Sequence, residues 1–128
     1  MKVYIVDDSR DIRARLKEIL NEFTEIDSID EAESLNEVQG NIAFIDPDII
    51  IIDIRLKEGS GFLVLEYIYR YFKVPLIVVL TNYPTEEYRR KCVRLGADYF
   101  FNKSTEFEKA IYVIENFVTD EFKMKVKV

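Results

Sequence analysis

The chain predicts an α/β fold: a five-stranded parallel sheet with helices on both faces. Three observations lead there. Short apolar, β-branched runs alternate with amphipathic stretches along the whole chain. The runs are continuous rather than alternating, and no Pro/Gly/Ser linker, repeat or low-complexity tract interrupts the order. Continuous apolar runs belong to strands covered on both faces, and regular β–α alternation makes such strands parallel.

Each element has its own signal. The first strand is "VYIV" (3–6), ended by the adjacent acids Asp7 and Asp8. Ile12, Leu16, Ile19, Leu20 and Phe23 then share one helical face. A weaker second strand is expected over residues 26–29, with a helix over 34–45. The third strand, "IIIID" (49–53), ends on Asp53, and Phe62, Leu65, Ile68 and Phe72 mark the next helix. The fourth, "LIVVL" (76–80), is followed by Thr81; Tyr88, Cys92 and Leu95 mark a helix that stops at Gly96. A fifth strand over 98–101 leads past Lys103 to a last helix opened by "TEFE", with Thr105 and Glu108 spaced as a capping box. In "YIYRYF" (67–72), Ile68 and Phe72 belong to the buried face, which leaves Tyr67, Tyr69 and Tyr71 at the flank and surface. Cys92 reads as core packing, whereas Arg90, Lys91 and Arg94 lie on the opposite, solvated face.

Composition narrows the function. A length of 128 residues is about one domain, read here as residues 1–120 with a short tail over 121–128 and no output domain. The net charge of −6 disfavours nucleic acid and anionic membrane surfaces as direct partners, and the closing "KMKVKV" is too short a basic patch to reverse that. No apolar run approaches the roughly 18 residues of a membrane span. The single Cys92 cannot form an internal disulfide, so a reducing, cytoplasmic location is expected. The absence of histidine argues against serine-triad hydrolysis and a zinc site.

The strand ends carry the chemistry. Parallel sheets gather functional groups at the carboxyl ends of strands, where the strand order reverses. In a 2-1-3-4-5 sheet that point lies between strands 1 and 3, so Asp7, Asp8 and Asp53 converge. Three bare carboxylates repel one another; a divalent cation resolves the conflict, and an all-oxygen acidic site suits Mg²⁺. Thr81 and Lys103 add a hydroxyl and an ammonium at the next two strand ends. Acids, metal, hydroxyl and ammonium around one carboxylate suit phosphoryl transfer with Asp53 as nucleophile.

"VDDSR", "PDIIIIDIRL…GSG", "LTN" and "LGADYFFNK" together resemble the receiver domain of bacterial two-component response regulators, over about residues 2–118. The resemblance implies a flavodoxin-like (βα)5 fold and a signalling switch or phosphoryl shuttle rather than an enzyme acting on other molecules. Asp53 would accept a phosphoryl group from the phosphohistidine of a sensor histidine kinase or histidine phosphotransfer protein. Asp8 matches the direct Mg²⁺ ligand, Asp7 the acid reaching the metal through water, and Arg55 the residue lending a backbone carbonyl. Thr81 matches the switch hydroxyl, Phe100 the rotating aromatic and Lys103 the phosphate-binding lysine. Arg55 and Tyr83, two residues past Asp53 and Thr81, occupy the positions that tune self-dephosphorylation; both are large, which implies a slow rate. A downstream protein would dock on the face of helix 4, strand 5 and helix 5, with Glu87, Arg90, Arg94 and Tyr99 as candidate contacts.

The chain departs from the family pattern at Lys57, where a proline commonly stands, and at Ser104, which replaces the proline after the lysine. A cis bond before proline costs about 0.5–1 kcal/mol, but before serine roughly 3–4 kcal/mol. A charge-assisted hydrogen bond from Lys103 to Asp53, about 1.5–3 kcal/mol, would nearly offset that difference, so both geometries stay open. Trans is favoured, because the long Lys103 stem can reach the pocket from a shifted backbone. Two other functions stay open: a pseudo-receiver that binds partners without using phosphate, and a Mg²⁺-dependent phosphohydrolase. The first normally lacks an acid, the lysine or the hydroxyl. The second generally places its nucleophile and acid on one strand, whereas here they are on two.

Overall fold

Four consecutive isoleucines, Ile49–Ile52, are all buried, as they must be if helices cover both faces of their strand. A computed structural model describes residues 1–127, with side chains through residue 120. The strands are β1 (Lys2–Val6), β2 (Ser28–Ala32), β3 (Ile49–Ile52), β4 (Leu76–Thr81) and β5 (Tyr99–Asn102). The helices between and after them are α1 (Arg10–Leu20), α2 (Leu35–Ile45), α3 (Gly61–Tyr71), α4 (Glu86–Arg94) and α5 (Phe107–Lys127). All four strand pairs are parallel, in the order β2-β1-β3-β4-β5. The doubly wound, flavodoxin-like fold expected from the sequence is the fold observed.

Alternate residues of each central strand feed two separate apolar layers. Tyr4, Val6, Ile50, Ile52, Ile77 and Val79 pack with Val38 and Ile42 of α2, Leu65 and Ile68 of α3 and Cys92 of α4. Val3, Ile5, Ile49, Ile51, Val78 and Leu80 pack instead with Leu16 and Leu20 of α1 and Ala110, Ile114 and Val118 of α5. Burial also pushes the Cys92 thiol up to about 11, so it behaves as an inert apolar group. Among the described residues the buried Tyr4 hydroxyl has no hydrogen-bond partner.

Four helices begin alike: Ser9, Ser34, Ser60 and Thr85 each accept the N–H three residues on. Gly96 ends α4 as expected, with φ +95.

Three details differ from the sequence expectation. The second strand lies at Ser28–Ala32 rather than 26–29, because Ile26 is used in a turn and donates its N–H to Phe23 O. As an edge strand β2 tolerates the polar sequence SIDEA, which hid it. At the start of α5, Glu106 does the work expected of the Thr105–Glu108 box: its carboxylate accepts from Asn102 N–H at 3.0 Å. The Asn102 side-chain oxygen in turn accepts from Ser104 N–H at 2.8 Å and Thr105 N–H at 3.2 Å. Finally, the α5 backbone continues through Lys127, so residues 121–127 prolong a helix where a tail was expected. Val128 lies outside the described residues.

Candidate functional site

The ladders run one residue past the strands and set the acid groups side by side. Asp7 N–H donates to Ala32 O at 3.0 Å, Asp53 N–H to Val6 O at 3.0 Å, and Lys103 N–H to Thr81 O at 2.8 Å. These bonds line up Asp7, Asp53, Thr81 and Lys103 along the carboxyl edge of four neighbouring strands. Asp7, Asp53, Thr81 and Lys103 are all buried, whereas Asp8 is exposed at the mouth.

Carboxylate oxygens of Asp7, Asp8 and Asp53 all lie within 4.8 Å of one another. The Lys103 ammonium stands between two of them, 2.7 Å from Asp7 Oδ2 and 2.7 Å from Asp53 Oδ2. Burial raises the Asp7 carboxyl above its ordinary value, and the bonds from Lys103 and from Ser9 N–H only partly oppose this. Burial alone would lower Lys103, but its hydrogen bonds to Asp53 and Asp7 outweigh that and hold it raised. With all three acids ionised, three negative charges and one positive leave an excess of two, which one divalent cation balances. The donors are all oxygen, so the residues present fit Mg²⁺ rather than a softer metal.

The loops after β3 and β4 bond back to side chains of the pocket. Asp53 Oδ1 accepts from Arg55 N–H at 3.4 Å, and Thr81 Oγ1 accepts from Tyr83 N–H at 3.2 Å. The two side chains then meet, with the Arg55 guanidinium 3.8 Å from the centre of the Tyr83 ring. Arg55 and Tyr83 thus form a cation–π stack. Phe100 is half-buried and packs on the α2–α4 layer, and the exposed Glu87, Arg90, Arg94 and Tyr99 lie on α4 and β5. Gly61 folds the loop after β3 back onto Asp53, its N–H reaching Ile54 O at 2.8 Å.

Some neighbours had no signal in the sequence. Ser104 Oγ donates to Asn82 Oδ1 at 3.0 Å, tying the loop after β4 to the loop after β5. Lys57 pairs with Glu33 at 3.7 Å across two other loops. Among the described residues every peptide bond is trans, Lys103–Ser104 included, as expected. Ser104 also uses the N–H that a proline would lack.

Residues 3–115 match the family model for the response regulator receiver domain. The sensory transduction protein LytT of Enterococcus faecalis is 32% identical over 115 residues, 90% of this chain and 47% of that protein. A protein-glutamate methylesterase/protein-glutamine glutaminase of Carboxydothermus hydrogenoformans is 30% identical over 99% of this chain and 35% of its own length. The chain thus spans half or less of these two curated relatives. Among solved structures, the N-terminal domain of an uncharacterized Wolinella succinogenes protein superposes with TM-score 0.83 at 25% identity, covering 97% of this chain and 98% of that one. The signal receiver domain of a DNA-binding response regulator from Colwellia psychrerythraea gives TM-score 0.82 at 20% identity, over 93% of this chain and 98% of that one. With the family model spanning nearly the whole chain and the acid pocket at the carboxyl edge of the sheet, the chain belongs to the response regulator receiver domain family.

Proposed function

We propose that this receiver takes a phosphoryl group onto Asp53 from the phosphohistidine of a histidine kinase or phosphotransfer protein. The observation that carries this reading is the Lys103 ammonium bonded to both Asp53 and Asp7 inside a three-carboxylate cluster. In the transfer, a carboxylate oxygen of Asp53 attacks phosphorus, the P–N bond of the donor breaks, and the imidazole leaves with the electron pair. Lys103 stabilises the added negative charge and orients the carboxylate, while Thr81 offers its hydroxyl to a phosphoryl oxygen. Asp7, Asp8, Asp53 and the Arg55 carbonyl would hold Mg²⁺. Bound there, the ion supplies positive charge to the acids and to the phosphoryl oxygens.

Release of the Tyr83 N–H bond as Thr81 turns toward the phosphoryl group would open room for Phe100. The surface carrying Glu87, Arg90, Arg94 and Tyr99 would then change its fit to a downstream protein. Phe100 has no hydroxyl to satisfy in water, so the inward rotamer dominates before phosphorylation. NMR shifts that stayed in place on α4 and β5 after phosphorylation would put the switch elsewhere.

The test is direct. Incubation with Mg²⁺ and a small acyl-phosphate donor should add the mass of one phosphate, acid-stable and base-labile. Asp53→Asn should abolish the addition, because an amide is a poor nucleophile, and Asp8→Asn should impair it. A phosphate found on a serine, threonine or tyrosine would end this reading. No addition with several donors would favour a binding module that does not use phosphate.

A further inference from the structure

We propose that Arg13 is a positioning residue for the acid pair, holding the turn that brings Asp7 and Asp8 to one site. The proposal rests on the Mg²⁺ reading above and concerns a residue that touches neither the ion nor the phosphoryl group. Successive residues of an extended strand project to opposite faces. Asp7 and Asp8 can therefore serve one ion only if the chain leaves the pleat between them. It does so: β1 ends at Val6, Asp8 lies in a bend, and both carboxylates reach within 4.8 Å of Asp53.

The peptide group at that bend is held through its carbonyl, because Arg13 Nη1 donates to Asp7 O at 2.8 Å. The other polar groups of Asp7 are already engaged. Its N–H is in the ladder to Ala32, one carboxylate oxygen accepts from Ser9 N–H at 2.8 Å, and the other bonds Lys103. Arg13 is itself anchored on β2. Its Nε donates to Glu31 Oε1 at 3.1 Å, Nη1 lies 3.9 Å from Glu33, and only 13% of its side chain is exposed. Glu31 stands opposite Ile5 in the β1–β2 ladder, so the edge strand serves as a fixed bracket for the guanidinium.

The planar fork of arginine bonds the carbonyl and the carboxylate together, which the point charge of a lysine cannot do in the same geometry. Lys17 provides an internal control. It bonds the same Glu31, at 3.0 Å, and among the described contacts it does not reach Asp7.

The experiment is calorimetric titration of Mg²⁺ into the full chain and into Arg13→Met, Arg13→Lys and Lys17→Met, with urea unfolding of each in the absence of metal. Supporting groups of this kind typically change metal affinity about 10–100-fold. Arg13→Met should weaken Mg²⁺ binding at least about tenfold, and Lys17→Met by less than about twofold. Saturating Mg²⁺ should return the Asp53 phosphorylation rate of Arg13→Met toward that of the unaltered chain, and a metal-free urea midpoint close to the unaltered one separates this loss from general destabilisation. If Arg13→Met fails to fold, Arg13→Lys decides: it keeps the charge and must still lose affinity while its urea midpoint stays close to that of the unaltered chain. Equal Mg²⁺ affinity in the Arg13 variants, or an equal loss in Lys17→Met, would overturn the proposal alone. No Mg²⁺ binding by the unaltered chain would overturn both it and the metal reading.

Discussion

A methyl group at Gly61 would stand 2.2 Å from the backbone oxygen of Asp53 and 2.5 Å from Ile54 Cα. Neither is the loose end of a side chain, so the loop itself would have to move. Gly61→Ala should cost about 1–3 kcal/mol, the range for overpacking a tight site, read as a lower urea midpoint. The same displacement should weaken Mg²⁺ binding, because it shifts the residue that carries one of the three acids. An unchanged midpoint with unchanged binding would mean that the loop relaxes freely. In the sequence, Gly61 stands out only as part of a familiar loop, since the collision depends on how the chain folds back. Asp7, Asp53 and Thr81 were legible for a simpler reason, since each directly follows an apolar run, and Lys103 follows one across Asn102. Arg13 and the Asn82–Ser104 bond were not, because nothing local distinguishes them from solvated side chains.

Among elements, β2 was the hardest to place, and its partly buried acid gives it a pH signature. Its Glu31 pays for burial, yet hydrogen bonds from Lys17 and Arg13 outweigh that and hold the carboxyl below its ordinary value of 4.5. A lowered acid stabilises the fold above its unfolded value and loses that contribution as pH falls through the folded one. Glu31 is about a third exposed, so each ion pair contributes no more than about 1 kcal/mol. Glu31→Gln should lower the urea midpoint at neutral pH, with the gap to the unaltered protein closing as the acid protonates. Asp7, held above its ordinary value by burial, acts with the opposite sign and does not add to this acid lability. A gap that stayed constant into strong acid would show that packing, not charge, is what the variant loses. The loops after β3 and β4 carry a second expectation at this scale. The Arg55–Tyr83 stack, made by the residues two past Asp53 and Thr81, offers no acid or amide to orient water, so a phosphoryl group on Asp53 should hydrolyse slowly. Replacing the pair with Asn and Glu should shorten its lifetime in a timed loss-of-phosphate assay. An unchanged rate would count against shielding.

Across the whole molecule, the strong central strands and the alternation of elements made the architecture legible from the sequence. The details that escaped lie at its margins, in a polar edge strand and in the turn into α5, where tertiary partners rather than periodicity decide. The same architecture has a consequence for the way the protein comes apart. Lys103 bonds Asp7 across 96 residues and Asp53 across 50. The complete pocket thus draws on the ends of β1, β3 and β5, so separating any of these strands takes it apart. An ion that bound only the folded pocket would stabilise the fold by about 2.7 kcal/mol at a hundred times its dissociation constant. Mg²⁺ should therefore slow hydrogen exchange of the most protected amides in β1, β3 and β4, not merely those of the surrounding loops. Protection confined to the loops would show that the pocket closes on its ion without the rest of the sheet. Because its bonds join residues so far apart in the chain, the pocket ties its own occupancy to the pairing of the strands that carry it.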